Sequence, residues 1–232
     1  MSIFLSVQST PAAISPMTEV AAAPVSLNVM DLALKGGWIM IPLLAMSVYA
    51  IYVFVERFLA LRKAMEVDSN FMDRIRDYIH DGKIESARNL CQASDNPVSR
   101  MIEKGISRIG RPLSDVNTAI ENVGNIEVSR LEKGLAGLAS VAGGAPMLGF
   151  LGTVMGMVQA FFEMANSGNQ IAVDMLAGGI YTALVTTVAG LVVGIIAYFA
   201  YNYLVARIEN VVFIMEARTM EFMDLLNEPA HK

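Results

Sequence analysis

Two stretches of this chain, residues 134–162 and 175–206, contain no Asp, Glu, His, Lys or Arg and are rich in Gly, Ala, Ser and Thr. A third, residues 37–55, is also uncharged and is bounded by Lys35 and by the pair Glu56 and Arg57. About 20 apolar residues at 1.5 Å each cross a ~30 Å hydrocarbon core, so each run is long enough to span a bilayer. The two longer ones must tilt or continue as helix beyond the membrane. With 54% hydrophobic and 17% charged residues and a mean hydropathy of +0.49, the chain is too apolar for an ordinary soluble domain.

The expected fold is all-α: a polytopic membrane protein with three transmembrane helices, two of them extended into a cytoplasmic helical bundle. Orientation follows from the basic residues, which stay on the cytoplasmic side of membrane spans. Of 17 Lys and Arg, Lys35 alone precedes the first span, 13 lie from Arg57 to Lys133, none lies in 163–174, and three follow from Arg207. The amino terminus is therefore placed outside, and the middle segment and carboxyl terminus in the cytoplasm. The expected order is an external tail with an interfacial helix over 1–35 and a first span over 36–56. A cytoplasmic helical segment follows over 57–133. The second and third spans, with a short periplasmic connection, occupy 134–206, and a cytoplasmic helix completes the chain over 207–232.

Within 57–133, apolar residues recur at three- and four-residue spacing. Asp81-Gly82, Asn96-Pro97 and Gly110-Arg111-Pro112 are stop signals, because Gly favours left-handed helix ends and Pro excludes continuing helix. Helices are predicted near 69–80, 84–93, 98–109 and from 114 onward. Ser114 is expected to cap the last, which then runs as one rod into the second span. Beyond the third span, Ile208, Val212, Met215, Phe222 and Leu226 form an apolar stripe that suits packing within the subunit or between subunits.

In the second span Gly149, Thr153, Gly156 and Ala160 share a face; in the third, Ala183, Thr187, Gly190, Gly194 and Ala197 do the same. Gly152 to Gly156 and Gly190 to Gly194 are also GxxxG pairs, a spacing that lets helix backbones approach closely. Close packing explains these faces; so does a pore lining. Pro146 lacks an amide donor and crowds the Ala142 carbonyl, so a kink is predicted there. Thr153 and Thr187 can each satisfy a carbonyl of their own helix, or contact a polar group from another chain. A proton relay intrinsic to a membrane helix needs an ionisable residue. Neither long span has an acid or a base, so any titrating carboxylate must come from a partner.

Other chemistry has little support. No P-loop, nucleophile elbow, metal-ligand spacing or paired-carboxylate constellation is present, so no catalytic residue, metal or cofactor is assigned and the chain is read as a non-enzyme. No concentrated basic patch points to nucleic acid. The single cysteine, Cys91, reads as a reduced, buried small hydrophobe. Glu56 and Arg57 suit pairing with each other or with neighbours, or service as snorkelling anchors, and Glu163 and Asp174, flanking the external connection, read as solvated loop charges or as charges that attract protons to the entrance.

The segments GGWIMIPLL followed by ER, RLEKGLAGLASVAGGAPMLGFLGTVMGM, and ALVTTVAGL with YN carry a resemblance. Over about residues 28–210 the chain resembles the ExbB/TolQ/MotA proton-channel family, in its three-span ExbB-like branch. The resemblance implies a bacterial inner-membrane subunit, embedded in lipid, that forms a homo-oligomer, a pentamer. That ring encloses the single membrane helices of two copies of an ExbD-like single-span subunit bearing an Asp. Proton motive force becomes work on a TonB-like energy transducer, with TolQ-like envelope maintenance or a non-conducting oligomeric scaffold as the alternatives. Thr153 and Thr187 carry over as the hydroxyls facing the Asp. Two departures stand out: Thr182 occupies a position where many members have Glu, and Ile196 one where Pro is common, which predicts a straighter third helix.

Overall fold

The computed structural model describes residues 36–65, 70–166 and 173–228, with side chains described from residue 176 in the last segment. The expected external tail and interfacial helix lie outside these residues. The described residues form helices and no strand: α1 (Met40–Ala64), α2 (Phe71–His80), α3 (Ile84–Ala93), α4 (Pro97–Ile106), α5 (Leu113–Glu132), α6 (Leu135–Asn166) and α7 (Val173–Asn227). Three stretches are long and apolar enough to cross a membrane, in α1, α6 and α7. The protein is an all-α polytopic membrane protein.

The small polar helices have local causes. Gly82 and Gly110 adopt φ of 70° and 91°, values that cost glycine little and end the preceding helical segments. At α4 the Asn96 side chain accepts from the Ser99 amide at 2.8 Å while Ser99 Oγ faces the Asn96 amide, a capping box with Pro97 at the first helical position. Ser114 does not cap α5. The amides of Asp115 and Val116 both reach the Pro112 carbonyl, at 2.9 and 3.3 Å, so the helix begins one residue earlier, with Pro112 itself as the cap.

The expected rod from α5 into the membrane is broken. Lys133 is extended (φ −54°, ψ 126°) and Gly134 is left-handed at φ 86°, after which the Leu138 amide returns to the Gly134 carbonyl at 3.1 Å to start α6. A break leaves the last carbonyls of α5 without helical partners. Arg57 supplies one: its Nη1 donates to the Arg130 carbonyl at 2.9 Å while Nη2 pairs with Glu56. With its side chain only 11% exposed, Arg57 is a brace from α1 to the end of α5, not a snorkelling anchor. Val53 packs over the Gly134 Cα.

The long α7 is the spine. Its first part pairs with α6 as an antiparallel hairpin, and α1 lies against both, with Tyr49 filling the notch left by Gly137. Phe54, Phe58 and Tyr203 cluster at the charged end of these helices, with Arg207 stacked over Tyr203 at 5.3 Å. The last third of α7 enters the polar module, where Ile208, Val211, Met215, Phe222 and Leu225 are buried with Met101, Ile102, Val116 and Ile120. Gly105 is the contact point: a Cβ there would strike the Phe222 ring at 2.6 Å and Ile120 at 2.8 Å. The stripe expected after the third span thus packs within the subunit at Ile208, Met215 and Phe222, while Val212 and Leu226 are half-buried. Phe213 and Met220 remain exposed on the opposite side.

Candidate functional site

The glycines singled out by pattern, with Ala160 and Ala183, meet at one seam between α6 and α7. A Cβ added to Gly190 would lie 2.6 Å from the Ala145 carbonyl oxygen and 2.8 Å from the Gly149 Cα; one on Gly149 would lie 2.9 Å from the Thr186 carbonyl oxygen. Gly156 abuts Ala183 and Gly152 abuts the Thr186 side chain. Gly194 receives the Pro146 ring, and a Cβ on it would also come within 3.2 Å of the Ala142 carbonyl oxygen. Backbone-to-backbone approach of this kind is what such residues permit in lipid, where dispersion and close packing replace the hydrophobic drive. Gly149, Gly152, Gly156, Ala183, Gly190 and Gly194 therefore hold the hairpin together. Helix α6 passes through Pro146 as a continuous element, and Gly194 makes the space for its ring.

Thr153 and Thr187 are the hydroxyls at the edge of this seam, and both are half-buried. Thr187 Oγ1 reaches across to the Gly149 carbonyl at 3.0 Å and lies 3.4 Å from Thr153 Oγ1. Thr153 Oγ1 donates to the Phe150 carbonyl of its own helix at 2.5 Å. Two threonines 34 residues apart in sequence thus form one paired site, flanked along α6 and α7 by side chains that carry no charge.

Pattern alone does not single out Thr186. It is 1% exposed, donates to the Ala183 carbonyl at 2.8 Å and fills the notch at Gly152. The signal lies in the adjacent Thr186-Thr187 pair, since consecutive helical residues point about 100° apart and only one can share the face of Thr153. Thr186 and Thr182 line a cavity of about 450 Å³, bordered also by Gly36, Trp38, Gly152 and Gln159. Glu163 lies within α6, not in a loop, and accepts from Gln159 at 3.0 Å; the side chain of Asp174 lies outside the described residues.

Away from the membrane helices, Glu127 is buried and bound by Arg100 at 2.6 Å and Arg130 at 2.7 Å. Arg100 also holds Asp95, which Lys63 of α1 pairs at 2.7 Å. The hydrogen bond from Lys63, then its charge and that of Arg100, hold the Asp95 carboxyl below its ordinary value. Burial pushes the Cys91 thiol up to about 12, as fits a small core residue. Among the described residues no cluster of His, Cys, Asp and Glu could hold a metal ion.

Residues 93–217 match the MotA/TolQ/ExbB proton channel family, a span that takes in the α6–α7 seam and both threonines. An ExbB homolog of Methanothermobacter thermautotrophicus is 32% identical over 185 residues, 79% of this chain and 65% of that protein's length. The biopolymer transport protein ExbB of Neisseria meningitidis is 30% identical over 70% of this chain and 78% of its own. The Tol-Pal system protein TolQ of Pseudomonas aeruginosa is 28% identical over 83% of this chain and 88% of its own.

Proposed function

The chain belongs to the MotA/TolQ/ExbB proton channel family, and from that premise we propose that it is the stator-ring subunit of an ion-driven motor in the bacterial inner membrane. Several copies, five in the family arrangement, surround a partner's single membrane helix whose Asp binds and releases the proton. The ring converts proton motive force into work on a TonB-like protein that energises outer-membrane transport. The amino terminus faces the periplasm and the polar module the cytoplasm, in keeping with the basic residues concentrated between Arg57 and Lys133.

One observation carries this reading: two helices with no acid or base across their charge-free cores bring two hydroxyls to 3.4 Å at the edge of their seam. Aliphatic hydroxyls do not titrate near neutral pH, so they serve a proton that another chain carries. Pro146 and the seam glycines hold that pair in register. TolQ-type envelope work is the second reading, favoured by the greater length shared with the TolQ relative.

The experiment is co-expression with a single-span partner chain that carries an Asp in its membrane helix, followed by proton-flux measurement in proteoliposomes. Flux that is lost when the partner's Asp becomes Asn, with the complex still assembled, is the expected result. A tight complex that passes no protons under any gradient would instead make the protein a scaffold.

A further inference from the structure

In a bilayer the solvent of a helix surface is the acyl chain, and a groove with cations at its mouth selects among lipids by charge. Such a groove, of about 750 Å³, runs between α1 and α7. Its floor is built of small residues, with Ala50 and Ala197 buried and Ala200 half-buried, while Ile51, Ile196 and Phe199 stand exposed as walls. From Val193 to Tyr203 it extends roughly 15 Å at 1.5 Å per residue, half of the ~30 Å hydrocarbon core and so the depth of one leaflet. Asn202 turns its amide to the Tyr198 carbonyl at 2.9 Å, which leaves the trough apolar at this end.

Tyr203 also lines a smaller pocket of about 230 Å³, together with Phe58, Arg62 and Arg207. The apolar trough and the cationic pocket thus meet at one ring. Arg207 donates from Nε to Tyr203 Oη at 3.1 Å with its guanidinium 5.3 Å from the ring centre, and neither of its Nη groups has an acceptor among the described residues. Arg62 is exposed and makes no hydrogen bond or ion pair to them. Other cations at this end are satisfied: Arg57 by Glu56 and the Arg130 carbonyl, Lys63 by Asp95. Two guanidinium groups that share a pocket without a carboxylate repel, and an anion between them relieves that repulsion. Their planar forks match the oxygens of a phosphate.

We propose that groove and pocket together bind an anionic phospholipid, its phosphate held by Arg62 and Arg207 and one acyl chain laid along the trough from Tyr203 toward Val193. Tyr203 then sits where headgroup gives way to chain, the depth that suits an apolar ring with a polar tip. A second membrane helix could fill the trough, but a charge-free span brings no anion to the arginines; the lipid meets both halves of the site. Bound there, it staples α1 to α7 where the polar module begins. The site depends on the membrane spans and not on the motor reading, which stands whether or not the lipid binds.

The test is native mass spectrometry of the full chain released from detergent, with phosphatidylglycerol and phosphatidylcholine titrated in separately. Phosphatidylglycerol is expected to bind the more tightly. Arg62→Gln and Arg207→Gln should each weaken it about fivefold, the contribution of one basic residue near an anionic lipid surface. Lys133→Gln, at the same end of the membrane helices but outside the groove, should leave it unchanged. Phe199→Ala removes a wall and should weaken both lipids while keeping their ratio; unaltered melting temperatures in detergent show that these exposed or half-buried substitutions leave the fold intact. Equal binding of the two lipids to the wild type, or a loss in Lys133→Gln as large as in Arg62→Gln, reduces the arginines to diffuse surface charge and overturns the proposal. Glycerol phosphate bound as tightly as the lipid removes the groove from the site and overturns it too. So does lipid that is retained by the dissociated chain and absent from the assembled oligomer, since a second copy then occupies the groove.

Discussion

At the residue scale, the seam separates glycines that pack from glycines that only occupy a face. Gly190→Ala would drive a Cβ against the Ala145 carbonyl and the Gly149 backbone, neither of which can rotate away. Overpacking of this kind costs about 1–3 kcal/mol, and here it also spreads the two threonines apart. Loss of thermal stability in detergent together with loss of proton flux is the expected outcome. Gly143→Ala, with nothing within 4 Å of the added Cβ, is expected to be neutral or to stabilise by up to about 1 kcal/mol through helix propensity. Equal melting temperatures for the two variants would remove the seam from the explanation. Cys91, buried and with its thiol held protonated, should resist alkylation near pH 8 until denaturant is added. Small residues are legible in the sequence because helical spacing puts them on shared faces. What they pack against is not, since the same spacing serves a pore and a seam; the contact between the Gly149 and Gly190 backbones comes from the structure.

At the element scale, the three spans announce themselves by length and absence of charge, and the polar helices by Gly82, Asn96-Pro97 and Gly110. The break at Lys133–Gly134 is harder to see. A glycine after basic residues is itself a stop signal, but apolar periodicity continues on both sides and masks it. Arg57 misleads for a related reason: a basic residue at a span's end usually reaches for headgroups, and nothing in its neighbours reveals the α5 carbonyl that the break exposes. Two substitutions probe the joint. Gly134→Ala forces a left-handed conformation on an L side chain, at a cost of roughly 1–2 kcal/mol, and brings its Cβ to 3.3 Å from Val53. Arg57→Met keeps the apolar stem and leaves the Arg130 carbonyl unmet. Both are expected to lower the melting temperature, and a distance distribution measured between spin labels on α5 and α6 should broaden in Arg57→Met. An unchanged distribution would show that the brace does not restrain the joint.

At the scale of the whole molecule, a chain of charges links the membrane helices to the polar module: Lys63 to Asp95, Asp95 to Arg100, Arg100 to Glu127, and Glu127 to Arg130, whose carbonyl returns to Arg57 of α1. Because Asp95 has its pKa depressed in the folded protein, its contribution to stability is complete above the unfolded value of about 4 and is lost as pH falls through the folded value. Asp95→Asn should therefore flatten the acid side of a melting-temperature profile and leave the neutral side with only the loss of the pairs themselves. Buried Glu127 carries more weight. Its replacement by Ala leaves Arg100 half-buried without that partner, a loss that reaches about 3–5 kcal/mol for fully buried pairs and less at this exposure.

Helix α7 runs 55 residues without a stop, about 80 Å at 1.5 Å per residue, from beside the connection to Phe222 inside the polar module. Its neighbour in the seam is jointed at Gly134. The two therefore differ as a drive shaft differs from a shaft with a universal joint: an unbroken helix joins Thr187 to Phe222, whereas the turn at Gly134 separates Thr153 from Ile120.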